Sequence, residues 1–234
     1  MLDDDHATGD ADPLEPEFPS IHPAERHRFL VARDGNIAQA SEMLRNHIAW
    51  RAAHFPRPEG TRVGNGLPEF AWVHPGRARD GTRIVSQMCC IIDPKLGSNE
   101  DYILALSGFL LDQFDRTSDE KLTVLIDSRP LEGTPNVLAI KMLPLIQAMA
   151  KTLSDHFPER LARLVVYPVP AALGFIWGLV CPFLAPKTAD KIKMLGGAAG
   201  RTSPCPVKLG EIVSLDALRE EDRPRHAALE LYQE

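Results

Sequence analysis

Residues 164–186, LVVYPVPAALGFIWGLVCPFLAP, form the longest stretch of the chain without a charged side chain, and they limit what it can fold into. An apolar run of about twenty residues is long enough to cross a bilayer as a helix. Pro168, Pro170, Pro182 and Pro186 interrupt this one. Proline lacks the backbone donor and breaks a helix interior, so only residues 171–181 stay uninterrupted, about half of what a span needs. Arg160 and Arg163 precede the stretch and Lys187, Lys191 and Lys193 follow it, which leaves no inside–outside bias. The segment reads as a short buried strand at 164–167, a proline-rich turn, and a short helix that is apolar nearly all round. Such a helix covers a core, a ligand cavity or a membrane surface.

The remainder is ordinary globular sequence. Of the 234 residues, 44% are hydrophobic and 25% charged, which excludes a wholly disordered, collagen-like or coiled-coil chain and suits one good-sized domain. The net charge of −6 argues against nucleic-acid binding. Acid is concentrated at the ends: residues 1–18 hold seven acids and no Lys or Arg, and residues 211–234 hold seven acids against three arginines. The body between them is mildly basic. Cys89, Cys90, Cys181 and Cys205 show neither a CxxC pair nor zinc-ligand spacing, so no metal site is expected. They read as small buried hydrophobes. With no apolar leader at the acidic N-terminus, the expected compartment is the cytosol.

Along the chain, residues 1–20 are acidic and proline-punctuated and read as a flexible tail. A helix is predicted from Pro23, carrying Phe29 and Leu30. After the turn residues Asp34-Gly35, Asn36 is placed as an N-cap. Ile37, Ala40, Leu44 and Ile48 then make one helical stripe, which Pro56 bounds. Residues 57–80 read as a connector. Strands are predicted at 83–92, 122–126, 164–167 and 192–195. Between them fall a helix capped by Ser98 and Asp101 and a helix or helix pair at 136–157, broken or kinked by Pro144. The alternation gives an α/β layer with a helical unit beside it. The predicted organisation is a tail at 1–20, a helical subdomain at 21–57, the main domain at 58–212 and an acidic C-terminal tail at 213–234.

Two stretches, RFLVARDGNIAQASEMLRNHIAWR at 28–51 and FPERLARLVVYPVP…PFLAPKTADKIKMLGG at 157–197, resemble the CRAL-TRIO lipid-binding family, and the segments between them keep its order. The resemblance implies a helical N-terminal subdomain beside a mixed β-sheet, with flanking helices and a gate helix over an apolar pocket. It further implies a monomer that shields one phospholipid and exchanges it at membranes, as in the phosphatidylinositol/phosphatidylcholine transfer branch. No cofactor beyond the bound lipid and no nucleic acid is expected. Carried over by position, the headgroup residues are Arg33, Glu159, Thr188 and Lys191. Arg33 and Lys191 can hold a phosphate by charge, the Thr188 hydroxyl can donate to it, and Glu159 can accept from ring hydroxyls. Asp34 stands where the branch has a second basic residue, and Ala185-Pro186 where it has Asp-Pro. The acyl pocket and gate are expected to use Val124, Ile126 and Val165 of the strands with Phe175, Ile176, Leu179 and Val180 of the gate helix. Lys187, Lys191, Lys193, Arg201 and Lys208 face a single acid, Asp190, in 187–208, a patch suited to transient contact with anionic lipid.

Two other classes compete. The chain lacks GxSxG, P-loop and HExxH motifs, and a triad of Ser107, His156 and Asp127 is the one hydrolase arrangement to test. A regulatory lipid sensor, or a carrier of another hydrophobic ligand such as a retinoid or tocopherol, shares the same fold.

Overall fold

The computed structural model describes residues 12–56, 66–171, 174–184 and 186–233, with the side chains of residues 174, 176 and 183 outside that description. Two helices come first, α1 (Pro23–Val31) and α2 (Ile37–His54). Asn36 caps α2 by accepting from the Gln39 amide at 3.1 Å. A five-stranded sheet follows in the order β1 (Ala71–Arg77), β2 (Arg83–Met88), β3 (Leu122–Asp127), β4 (Leu161–Val169), β5 (Ile192–Gly196). β1 and β2 are antiparallel, and the pairs from β2 to β5 are parallel. The crossovers carry α3 (Asn99–Gln113), α4 (Ala139–His156), and then α5 (Gly174–Val180) with the single turn α6 (Pro186–Ala189). Ser98 and Asp101 form the capping box of α3. Pro144 lies within α4, which remains one helix.

Strand order equal to sequence order has a consequence. Right-handed crossovers that always step the same way place every connecting helix on one face, and α3 and α4 pack there together on Val85, Leu122 and Val124. The other face is bare until the C-terminal segment crosses it. Leu209, Ile212, Val213, Leu218 and Leu229 cover Ile84, Leu125, Val165 and Tyr167, each of the twelve buried residues in that cluster being under a tenth exposed.

Several expectations are corrected. The described residues 213–233 of the expected C-terminal tail are no tail: they form the lid on the second sheet face, through a 3-10 segment Glu220–Leu231 and buried Val213 and Leu218. Polar side chains lock it down. Asp127 accepts from Arg129 Nη2 at 2.7 Å and Arg225 Nη2 at 3.1 Å, and Tyr167 Oη meets His226 Nε2 at 2.8 Å. Trp72 Nε1 donates to Asp222 at 2.8 Å. Short 3-10 turns leave no 3.6-residue hydrophobic period, so the sequence pattern gave no sign of this layer. Residues 12–20 are likewise packed, with Leu14 and Phe18 buried against Phe29 and Leu44, and with Asp12 paired to Arg26 at 2.6 Å and Glu17 to Arg45. Asp12, Glu15 and Glu17, three of the acids that suggested a solvated tail, are partners of α1 and α2 arginines, and residues 1–11 of that expected tail lie outside the described residues.

The connector at 57–80 contains β1, an edge strand that tolerates Pro75. Its Gly76 lies so close to the C-terminal layer that a Cβ would sit 2.4 Å from Ala217 Cα. The strand at 83–92 ends at Met88, where a 3-10 turn begins. On α2 the buried face runs through Ala40, Met43, Leu44 and His47, while Ile37 and Ile48 are exposed.

The helical unit docks on the far end of α4. Trp50 stacks on His156 with ring centroids 3.9 Å apart, and Glu25 pairs with Arg116 at 2.7 Å. Arg28 donates to the Ser118 carbonyl at 2.7 Å and Arg160 to the same oxygen at 2.7 Å.

Asp127→Ala would leave Arg129, 1% exposed, without its carboxylate. It should destabilise the protein by about 3–5 kcal/mol in urea unfolding; a loss within error of zero would refute the locking role. Burial, helped by the His47 charge for His156, holds His156 and His74 down at about 4. The unfolded chain takes up these protons near 6.5, so stability is whole above about 6.5 and falls as pH drops toward about 4. Burial alone would raise the Glu25 carboxyl, but hydrogen bonds with His47 and Arg116 hold it at about 2, which continues the loss below the ordinary carboxylate range. A urea midpoint that stays level across the histidine window would contradict this assignment.

Candidate functional site

The two sheet faces differ in how completely they are covered. Along β3 and β4, Thr123, Leu125, Asp127, Val165 and Tyr167 are buried, whereas the alternate residues Val124, Ile126, Leu164 and Val166 are only half-buried. Register puts those four on one face, since Val124 pairs with Leu164 and Ile126 with Val166. Ile192 and Met194 of β5 continue the row, and Met194 is 39% exposed at the sheet edge. The facing helix repeats the pattern. Met142, Ile146, Met149 and Leu153 of α4 are half-buried, and Leu145 alone in that helix is buried. Apolar side chains of α4 and of this sheet face thus pack on one core cluster, Val124, Met142, Met149 and Leu153 among them, while staying only partly covered.

α5 lies against α4. Val180 is buried, Trp177 is half-buried, and Phe175 and Leu179 are 59% and 40% exposed. Val124 and Ile126 stand on this partly covered face. Val165 does not: it is fully buried on the opposite face beneath Leu209 and Leu218, because side chains alternate along a strand. Ile176 lies in α5, but its side chain is outside the described residues. Among the described residues no helix is long and apolar enough to cross a membrane.

A polar cluster is built where the parallel strands begin. Glu159, at φ 58° in the turn from α4 into β4, accepts from Lys121 Nζ at 3.2 Å and lies 3.7 Å from Lys191 Nζ. Lys121 immediately precedes β3 and Lys191 immediately precedes β5, so strand pairing itself brings the three together. The Lys191 amide donates to the Thr188 carbonyl at 3.1 Å, which places Thr188 on the turn that delivers Lys191. Arg33 stands across from this turn. Its guanidinium donates to the Ala32 carbonyl at 3.4 Å and is bonded to none of the other three. The neighbouring Asp34, at φ 51°, instead pairs with Lys187 on α6, which raises the Lys187 ammonium. The departure from the family pattern at Asp34 therefore has a structural role: it ties the end of α1 to the segment that follows the gate helix. Lys121 was not picked out from sequence, and Lys187 only as part of the basic patch, not as a partner of Asp34. Only the strand register and the α1–α6 contact reveal them.

The hydrolase triad is dispersed. Ser107 is 1% exposed and donates to the Ile103 carbonyl at 2.8 Å, His156 stacks on Trp50, and Asp127 serves Arg129 on the opposite sheet face.

The sequence signature described as the CRAL/TRIO domain matches residues 70–202, more than half of the chain. The chain belongs to the CRAL/TRIO family of lipid-binding domains. Among CRAL/TRIO relatives, the phosphatidylinositol/phosphatidylcholine transfer protein SFH4 of Arabidopsis thaliana is 26% identical over 192 residues, covering 72% of this chain and 31% of that protein. The protein named real-time from Aedes aegypti is 24% identical over 200 residues, covering 73% of this chain and 28% of its own length. The chain thus spans less than a third of either relative. A crystal structure of Sfh5 superposes with a TM-score of 0.58 at 16% identity, covering 82% of this chain and 68% of that one, which shows a shared fold.

Glu159 and Lys191 are both partly exposed, at 23% and 27%, so their pairing should contribute little to stability. A double-mutant cycle of Glu159→Ala and Lys191→Ala should return a coupling of about 1 kcal/mol or less. A coupling of several kcal/mol would make the pair part of the scaffold instead of a receptive site.

Proposed function

We propose that this protein holds one phospholipid, phosphatidylinositol or phosphatidylcholine, in the hollow between α4, α5 and the half-covered sheet face, and exchanges it at membranes. The observation that carries the reading is the asymmetry of the sheet: one face is sealed, while its reverse keeps a continuous apolar row incompletely covered. Burial of each methylene is worth about 0.8 kcal/mol, so two acyl chains lose on the order of 20 kcal/mol on entering water. A hollow walled by Val, Ile, Leu and Met offers surroundings close to those of the bilayer, so transfer between them is nearly balanced in energy. The likeness to a phosphatidylinositol/phosphatidylcholine transfer protein of Arabidopsis thaliana supports a phospholipid as cargo.

The headgroup sits, in this reading, at the strand-start cluster. Lys191 and Lys121 face its phosphate, Thr188 donates to it, Glu159 accepts from inositol hydroxyls, and Arg33 closes the far side. Phe175 and Leu179, exposed on α5, enter the bilayer surface when the gate meets it, beside Lys187 and Lys193. The protein acts as a monomer at the cytosolic face of membranes, associating with them transiently.

Native mass spectrometry of the purified protein, followed by lipid extraction, should show one phospholipid per chain, and labelled phospholipid should move between vesicles when the protein is added. Binding without transfer would make the protein a lipid sensor, and recovery of a retinoid or tocopherol would change the cargo. The double variant Glu159→Ala, Lys191→Ala should lose phosphatidylinositol yet retain phosphatidylcholine. Equal loss of both lipids would remove the cluster from headgroup selection.

A further inference from the structure

The two edges of the sheet are finished differently. At β1 the C-terminal segment takes up the outer edge. The Gly76 amide donates to the Ala217 carbonyl at 3.0 Å, and just beyond the strand the Arg79 amide donates to the Ile212 carbonyl at 2.8 Å. Pro75, between them and Trp72, has no amide to offer. That edge is closed to a further strand.

β5 is the opposite edge. Leu164 of β4 pairs with Ile192 and Val166 with Met194, and the Leu164 amide donates to the Lys191 carbonyl at 3.0 Å. In a parallel ladder alternate residues turn their backbone groups to opposite sides. Lys191, Lys193 and Leu195 therefore bond to β4, while Ile192 and Met194 turn N–H and C=O outward. Among the described residues no hydrogen bond from another element reaches those outward groups. Such an edge is a template for another strand.

The template comes with a seat and a charge. A groove of about 410 Å³ opens at β5, lined by Met194, Leu195, Gly196, Pro206, Val207 and Lys208. Met194 and Val207 are each 39% exposed. Lys193 and Lys208 are exposed and belong to no ion pair among the described residues. Side chains alternate along a strand, so Lys193 shares a face with Leu195, which packs on the sealed layer, and Met194 lies on the reverse.

Charge selects the occupant. A second copy of this chain would bring its own Lys193 and Lys208 to the same edge, and like charges across paired strands repel. A lysine on an edge strand in this way turns away self-pairing and favours a strand of opposite charge. We infer that the β5 edge docks an extended acidic segment of a partner protein, which joins the five-stranded sheet by hydrogen bonds to the Ile192 and Met194 backbone. Its residues alternate, with carboxylates toward Lys193 and Lys208 and apolar side chains over Met194. None of the residues assigned to the lipid headgroup takes part, so this inference and lipid carriage fail separately.

Selection of a random peptide library on the full chain, with Met194→Pro as the counter-selection, tests the inference. Proline fits an edge position whose amide faces solvent, and circular dichroism checks that the variant is folded. Enriched peptides should alternate Asp or Glu with Val, Ile or Phe. A fluorescent copy of the leading peptide, followed by anisotropy, should bind the double variant Lys193→Glu, Lys208→Glu about tenfold more weakly than the parent, as two exposed ion pairs allow. These exposed lysines carry the test independently of the proline variant. N-methylation of alternate peptide amides should abolish binding, because it removes the donors that a ladder needs. Arg45→Ala, whose partner is Glu17 in the helical unit, should change nothing. Failure to enrich an alternating acidic peptide, undiminished binding to the double lysine variant, or indifference to N-methylation would overturn the inference. A dimer in sedimentation that Met194→Pro dissolves would also overturn it, by giving the edge to a second copy.

Discussion

The handedness of the β-α-β connection governs this molecule. Four strands, β2 to β5, are laid down in sequence order, and each crossover is obliged to turn the same way, so α3, α4 and α5 share one face. A sheet covered on one face only leaves the apolar alternate residues of parallel strands against water. The C-terminal segment exists to solve that problem. It contributes Leu209, Ile212, Val213, Leu218 and Leu229, and its backbone, too irregular for a helix ladder, is fixed by side chains instead. The Asp127 carboxylate is the anchor: burial alone would raise it, but the hydrogen bonds and charges of Arg129 and Arg225 hold it ionised below its usual range.

The two faces then take opposite fates. One carries a dry, interlocked layer in which Tyr167, Val165 and Leu125 have essentially no exposure. The other is spanned by α4 at a distance that leaves Val124, Ile126, Leu164 and Val166 half-covered. One face is sealed by long-range packing, and its reverse keeps apolar side chains only partly covered. The polar cluster follows from the same geometry. Parallel strands in register start along one edge, and the residues just before them, Lys121, Glu159 and Lys191, are gathered there with no helix or loop arranged for the purpose.

Arginine is the joining material throughout. Arg26 binds the first turns to α1, Arg28 and Arg160 meet on the Ser118 carbonyl, and Arg129 connects β3 to the Ser203 and Arg225 carbonyls. A guanidinium has five donors in a fixed fork and stays charged when buried, so it can stitch irregular backbone that has no ladder of its own. All four are under a tenth exposed, and they hold segments that are distant in sequence.

Local patterns disclosed what is local. The Asn36 cap, the Ser98–Asp101 box, the apolar run of β3 and the proline-cut segment leading to α5 were legible because capping, period and proline act over a few residues. So was the neighbourhood of Glu159, Thr188 and Lys191, through the resemblance of their motifs. Burial of residues 12–20 and 213–231 was not, since a scatter of leucines among acids looks solvated until its arginine partners are in place. The assignment of Val165 to the pocket failed for a related reason: a strand buried on both faces shows no alternation, so sequence cannot say which side chain meets which layer. Composition and spacing determined that this chain would build an α/β layer with a short uncharged helix in it. Only the tertiary structure decided which face is sealed and which is partly covered, because that depends on where a C-terminal segment without an α-helix comes to rest, a long-range packing choice without a local signature.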